Sequence, residues 1–338
     1  MPDAECVTGL DHAYDVVRFL KSVQGQASFS PAEERAKLFR DLRHQSDVCR
    51  LLALNITGTV LCVPYGRTEP NGEGMEAFDW FPPETWCSDV DHVIVYIHGG
   101  FWKAMDLPES SHWATPVTQA GAIFVALSYR LAPWQSHHAM PGSICKALAQ
   151  IYERSCKHVQ KLTNRSPNIR LHLFGHSAGA QLVLESVMLV ISESSKKEAQ
   201  WLTTLTSLIL VSGLYDLRPL VHTSFNTVLN LRSESDAWCC SPLRYFTSID
   251  AKVTCILRSI RVLIAWAEFN PPALIEQSGR LASSWNSALA SGSPGVCGIE
   301  TFCAENEDHF TAIHTLHCGV KTSALLKRVF GFIGLSCK

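Results

Sequence analysis

The chain has 338 residues, of which 46% are hydrophobic and 18% charged, a balance that excludes disordered, collagenous and low-complexity classes and can fill one large multilayer domain. Its 29 basic and 31 acidic residues leave a formal net charge of −2, so nothing in the overall balance calls for nucleic acid or an anionic membrane as a partner. The 13 cysteines include no Cys-x-x-Cys pair, the N-terminus lacks a secretory signal pattern and no apolar run is long enough to span a bilayer; together these predict a cytoplasmic protein with unpaired thiols.

Residues 1–60 read as a helical extension. Ser30-Pro31-Ala32-Glu33 is a capping box with proline at the first helical position, and predicts a helix to about His44. The stretch 63–89 is rich in Gly and Pro and predicts short strands or loops. After Asp91 the pattern changes to short β-branched runs, 93–97, 122–128, 169–174, 207–211, 260–266 and 297–303, separated by amphipathic segments at 139–161, 178–192, 274–289 and 311–329. Strands apolar on both faces and alternating with helices predict an α/β fold with a mostly parallel, doubly wound sheet over residues 61–338. The connection at about 215–253 is longer than such a unit needs and predicts, with the N-terminal helices, a small lid.

Three motifs carry the chemistry. Gly175-His176-Ser177-Ala178-Gly179 follows the strand IRLHLF and opens a helix, the context in which a strained turn projects a nucleophilic serine above the sheet. His98-Gly99-Gly100-Phe101-Trp102 follows the strand VIVYI, and a glycine loop there aims backbone N–H groups at a developing oxyanion. Gly99 and Gly100, with the N–H of Ala178, are the expected hole. Phe101 and Trp102 beside it predict a pocket for an aromatic or apolar ligand. After the last strand His309 stands in a loop, whereas His314 and His317 fall within the helical pattern; His309 is therefore the expected base, in the chain order nucleophile, acid, histidine.

The acid slot after the penultimate strand holds Asn270 in the run Glu268-Phe269-Asn270-Pro271-Pro272. An amide can hold an imidazole in one tautomer but cannot stabilise imidazolium by charge. Asn270 itself, Glu268 and Asp216 remain open as the residue that orients His309. The remaining histidines have no metal-ligand spacing, so no metal is expected.

In these motifs the chain resembles the kynurenine formamidase branch of the α/β-hydrolase superfamily. The likeness runs from VPYG at 63–66 through HGGFW at 98–102, SYRLAP at 128–133 and FGHSAGAQL at 174–182 to SGLYDLRPL at 212–220, with Asn226, Ser241-Pro242-Leu243 and Glu276-Gln277-Ser278 continuing it. The resemblance implies a cofactor-free amidase or esterase acting on a small aryl or acyl substrate, with a triad mapping to Ser177, Asn270 and His309. The chain departs from the branch at Asn270, where an Asp is usual, and at Gln181, where a His is common. Two alternatives stand beside the hydrolase: a non-hydrolytic biosynthetic enzyme of the polyketide or polyketide-peptide type, and a binding protein on a catalytically dead scaffold. A small-molecule substrate is expected, with no nucleic acid and no membrane; homo-oligomerisation is left open.

Overall fold

The apolar runs after Asp91 form the centre of a single eight-stranded sheet in the computed structural model, which describes residues 9–17, 19–20, 31–68, 73–86, 89–193, 199–290 and 299–335. In chain order the strands are β1 (Val60–Pro64), β2 (Ala77–Phe81), β3 (Asp91–Ile97), β4 (Ile123–Leu127), β5 (Ile169–His176), β6 (Leu205–Val211), β7 (Arg261–Phe269) and β8 (Ile299–Asp308). Their spatial order is β1-β2-β4-β3-β5-β6-β7-β8. β1 and β2 run antiparallel to their neighbours and the other six are parallel, an α/β-hydrolase architecture.

Burial explains the arrangement. Every residue of β3 and β4 is buried, because helices cover both faces of the sheet. On one face the helices Met140–Thr163, Ala178–Glu193 and Pro272–Leu289 pack against Val93, Val95, Leu173 and Leu208. On the other, Trp113, Phe124, Phe174 and the C-terminal helix Ala324–Ile333 form a second core. The edges β1 and β8 are partly exposed.

The N-terminal helix runs Pro31–Ala53, beyond the His44 expected from sequence. Leu42, Ser46, Cys49 and Ala53 recur every three or four residues and are all buried, so the amphipathic face continues. Ser30 of the expected capping box lies outside the described residues. The helix is tied to β2 through Asp79, whose fully buried carboxylate accepts from Arg50 Nε at 2.7 Å, Ser111 Oγ at 2.7 Å and the Cys62 N–H at 3.0 Å. Removing one partner of such a buried group leaves an uncompensated charge, which costs about 3–5 kcal/mol.

At the C-terminus the single helix expected over 311–329 is broken. A turn at Thr311–His314 passes into a 3₁₀ turn at Thr315–Cys318, and a new helix starts at Ala324. Gly319 at φ +79° ends the first piece, and Ser323 caps the second by accepting from the Leu326 N–H at 3.2 Å. Of the strand expected over 297–303, positions 297 and 298 lie outside the described residues, and β8 continues past 303 to Asp308.

Segment 215–253 holds the short helices Asn226–Leu229 and Glu234–Cys239 and the start of Ala251–Arg258, with 3₁₀ turns at Arg218–His222 and Pro242–Thr247. The N-terminal segment reaches it directly, since the Ser224 N–H donates to Asp11 Oδ1 at 2.6 Å. Among the described residues no helix is long and apolar enough to cross a membrane, and none of the nine described cysteines forms a disulfide.

Candidate active site

β5 ends at His176 and the following helix begins at Ala178, so the chain reverses at Ser177 alone. Ser177 adopts φ +54°, a left-handed conformation that a residue with a Cβ takes only when its surroundings impose it. The Ser177 N–H donates to Val211 O of β6 at 2.8 Å, fixing the turn to the sheet. The helix start lies so close to the end of β3 that a Cβ on Gly179 would sit 2.1 Å from Ile97 O and 2.5 Å from His98 O.

The loop after β3 wraps over this turn. A Cβ added to Gly99 would fall 2.9 Å from Ser177 Cβ and 3.0 Å from His176 O, so only glycine fits beside the serine. Gly100 follows at φ +99°. No backbone acceptor among the described residues takes up the N–H groups of Gly99, Gly100 or Ala178. The loop is held from behind by His98, which stacks on Tyr129 at 4.6 Å and contacts Gly99 O at 2.9 Å and Ser128 Oγ at 3.3 Å.

His309 lies just past β8 with 3% of its surface exposed. Burial pushes its pKa down to about 3, so the imidazole is neutral at physiological pH. Its Nδ1–H donates to Asn270 Oδ1 at 2.9 Å, and Asn270 Nδ2 donates to Ser212 Oγ at 2.7 Å. That pairing turns the amide oxygen toward the ring and puts the free lone pair of His309 on Nε2. Ser212 is fully buried, stands at φ +50° and is tied to β7 by its N–H to Ala265 O at 2.8 Å. His176 Nε2–H donates to the backbone carbonyl of His309 at 3.0 Å, linking the two strand ends.

The other two acid candidates are engaged elsewhere. Asp216 accepts from Arg218 Nε at 2.9 Å and Nη2 at 2.7 Å and from Arg280 Nη2 at 2.9 Å. Burial opposes its ionisation, yet the guanidinium groups of Arg218 and Arg280 hold the carboxyl below the usual carboxylate range. Glu268 points off the exposed end of β7 and accepts from the Asn306 N–H at 2.8 Å. Of the three candidates, Asn270 is the one in hydrogen-bond contact with His309.

Ser177 and His309 open onto one cavity of about 440 Å³, whose walls include Gly100, Phe101, Phe225 and Phe310. Phe101 and Phe225 stack face to face with centroids 4.2 Å apart. Val16, Val17 and Phe39 bring the N-terminal segment to the same cavity, and Ser224 and Thr227 bring the 215–253 segment. Trp102, expected beside Phe101 in the pocket, is turned the other way. It has no exposed surface and its indole N–H donates to Gln181 Oε1 at 3.0 Å, while Gln181 Nε2 donates to Cys240 O at 2.9 Å. A buried indole needs a hydrogen-bond acceptor, and the amide at 181 supplies it inside the core.

Sequence reasoning did not single out Ser212, His176 or Phe225 for the site. Ser212 was visible only as the first letter of SGLYDLRPL, and nothing in that run says that its hydroxyl faces the residue after β7. Among the described residues no group of three or more His, Cys, Asp or Glu is arranged to hold a metal ion.

The chain is similar in sequence and fold to known hydrolases. The sequence profile described as the alpha/beta hydrolase fold matches residues 94–275, which include both glycine motifs and Asn270. The kynurenine formamidase of Danio rerio is 29% identical over 264 residues, spanning 78% of this chain and 79% of that protein. Among solved structures, a Silicibacter protein assigned as a thioesterase superposes with a TM-score of 0.67 at 22% identity, over 92% of this chain and 95% of that one. An esterase from Pyrobaculum calidifontis superposes with a TM-score of 0.58 at 15% identity, over 94% of this chain and 98% of its own.

Proposed function

The chain belongs to the alpha/beta hydrolase fold family, and from that premise we propose that it is a serine hydrolase of carboxylic ester or amide bonds in small aryl or acyl substrates, similar to the kynurenine formamidases. The observation that carries the proposal is the meeting of Ser177 and His309 at one cavity, with His309 Nδ1 engaged by Asn270.

In this reading Ser177 Oγ attacks the substrate carbonyl while His309 Nε2 takes the hydroxyl proton. The N–H groups of Gly99, Gly100 and Ala178 stabilise the oxyanion that develops. The intermediate collapses, the leaving group departs, and water activated by His309 releases the acyl group. Asn270 keeps the ring oriented with Nε2 free. Phe101 and Phe225 form an apolar wall for the acyl or aryl group, and the N-terminal helices with the 215–253 segment act as the lid over it. The nine described cysteines without a disulfide support a reducing, cytoplasmic setting.

The test is turnover of an aryl ester such as p-nitrophenyl acetate by the wild type and by Ser177→Ala. The proposal expects the wild-type rate to fall to background in the variant; an unchanged rate overturns it.

The amide at position 270 favours a second reading, a non-hydrolytic biosynthetic enzyme in which His309 acts as base and the glycine loop stabilises an enolate. Such a step forms no acyl-enzyme and makes less demand on a carboxylate. It is preferred if Ser177→Ala leaves the native turnover intact; a large gain in ester hydrolysis by Asn270→Asp without loss of native turnover argues against it.

A further inference from the structure

Among the described residues no carboxylate hydrogen-bonds His309: Asp15 lines the same cavity and accepts from the Val17 N–H, and Asp308, next in the chain, accepts from the Phe310 and Thr311 N–H groups. The His309 Nδ1 meets an amide oxygen, Asp216 is clamped by Arg218 and Arg280, and Glu268 points off the exposed end of β7. The amide is not free to be replaced functionally by rotation of a neighbour, because Ser212 Oγ holds its nitrogen at 2.7 Å. Resting on the serine-hydrolase reading above, we infer that Asn270 makes this site a leaving-group selector. Thioesters and aryl esters, whose leaving groups depart as stable anions, are its substrates; aryl formamides turn over poorly.

The path of the protons separates the substrates. In the first step the Ser177 Oγ–C bond forms, the carbonyl π pair moves onto oxygen, and the hydroxyl proton passes to His309 Nε2. A carboxylate on Nδ1 would stabilise the resulting imidazolium through its charge, whereas the Asn270 oxygen offers only a dipole. The imidazolium is therefore short-lived, and its proton returns either to Ser177 Oγ, which reverses the reaction, or to the leaving group.

Collapse then divides substrates by class. A thiolate or aryloxide, with a conjugate-acid pKa of about 8.5 to 10, leaves with the C–S or C–O bonding pair before it is protonated and collects the Nε2 proton as it departs. An anilide nitrogen cannot leave as an anion; it must receive the proton before the C–N bond breaks. With the imidazolium unsupported, that intermediate expels Ser177 and reverts to substrate. Deacylation is common to an aryl formate and the matching formanilide, since both leave the same formyl ester on Ser177.

The experiment compares kcat/KM for phenyl formate, phenyl thioacetate and formanilide in the wild type and in Asn270→Asp. The wild type is expected to hydrolyse the ester and thioester and to leave formanilide near background. Asn270→Asp is expected to raise formanilide turnover on the order of 100-fold, through kcat rather than KM, and phenyl formate by less than about tenfold. Equal gains on both substrates, or a wild type that turns over formanilide as fast as phenyl formate, overturn the inference. The wild-type comparison stands alone if Asn270→Asp does not fold, which labelling by a fluorophosphonate reports. Ester turnover that survives Ser177→Ala refutes the hydrolase reading; ester turnover that needs Ser177 while formanilide keeps pace refutes only the selector.

Discussion

His309 donates through Nδ1 to Asn270 Oδ1 at 2.9 Å, so the base of the proposed dyad is oriented by an amide and not by a charge. Burial holds this histidine near a pKa of about 3. The kcat/KM of an aryl ester is therefore predicted to stay level as pH falls from 8 to 5, with no acid limb near the ordinary histidine value of about 6.5. In Asn270→Asp the new carboxylate favours imidazolium, so the pKa rises and the acid limb appears within that window. A pH–rate profile of the two proteins checks it; a wild-type limb near 6.5 contradicts it.

Among the described residues Ser212 Oγ is the one side-chain partner of the Asn270 amide nitrogen. Ser212→Ala removes that hold and lets the amide rotate its nitrogen toward His309, which selects the unproductive tautomer. The predicted result is a fall in kcat of about tenfold or more with KM nearly unchanged, and a stability loss of about 1 kcal/mol for the hydrogen bond. In the Asn270→Asp background a carboxylate presents oxygen either way, so the same substitution is predicted to cost kcat much less. Equal losses in both backgrounds would show that Ser212 acts only on the fold.

Gly99 separates the loop after β3 from the serine, and a methyl group there would come within 2.9 Å of Ser177 Cβ. Gly99→Ala is predicted to cost about 100-fold in kcat by displacing the expected oxyanion donors. Gly142 lies within the helix Met140–Thr163 and a Cβ there meets nothing within 4 Å. Gly142→Ala is accordingly predicted to stabilise the protein by about 0.5–1 kcal/mol and to leave the rate unchanged. Thermal melts and initial rates of the two variants check the contrast.

His309, His172 and His176, three of the seven buried histidines among the described residues, contribute a defined acid sensitivity to the fold. Burial depresses His309 to about 3 and holds His172 and His176 well below the ordinary value, His172 also beside His92 and His176 beside His309. Below pH 6.5 the unfolded chain binds protons that the folded chain refuses, so this stability is complete above 6.5 and is lost as pH falls toward the folded pKa values. Each histidine is predicted to cost up to about 1.4 kcal/mol per pH unit in that range. Urea midpoints at pH 7.5 and 5.5 measure the loss, and His172→Gln, remote from the serine, is predicted to reduce it.

The parallel strands were legible because they are buried on both faces and read as unbroken apolar runs, as at Val93–Ile97. The elbow and the glycine loop were legible because glycine spacing is dictated by backbone contact, seen at Gly99 and Gly179. The break at Gly319 was missed because one glycine within an apolar periodicity does not announce a left-handed φ. Trp102 was misplaced because adjacent aromatics look alike in sequence, and which one faces the cavity depends on positive φ angles at both Phe101 and Trp102. The part of Ser212 was hidden because its contact joins the ends of β6 and β7 across 58 positions.

The central claim, that Ser177 is a nucleophile driven by His309, is tested most directly by intact-mass and peptide mapping after exposure to a fluorophosphonate. The account predicts one covalent adduct, located on Ser177, formed by the folded wild type and absent from both Ser177→Ala and His309→Ala. A folded wild-type protein that forms no adduct, or one whose adduct forms at the same rate without His309, would contradict it.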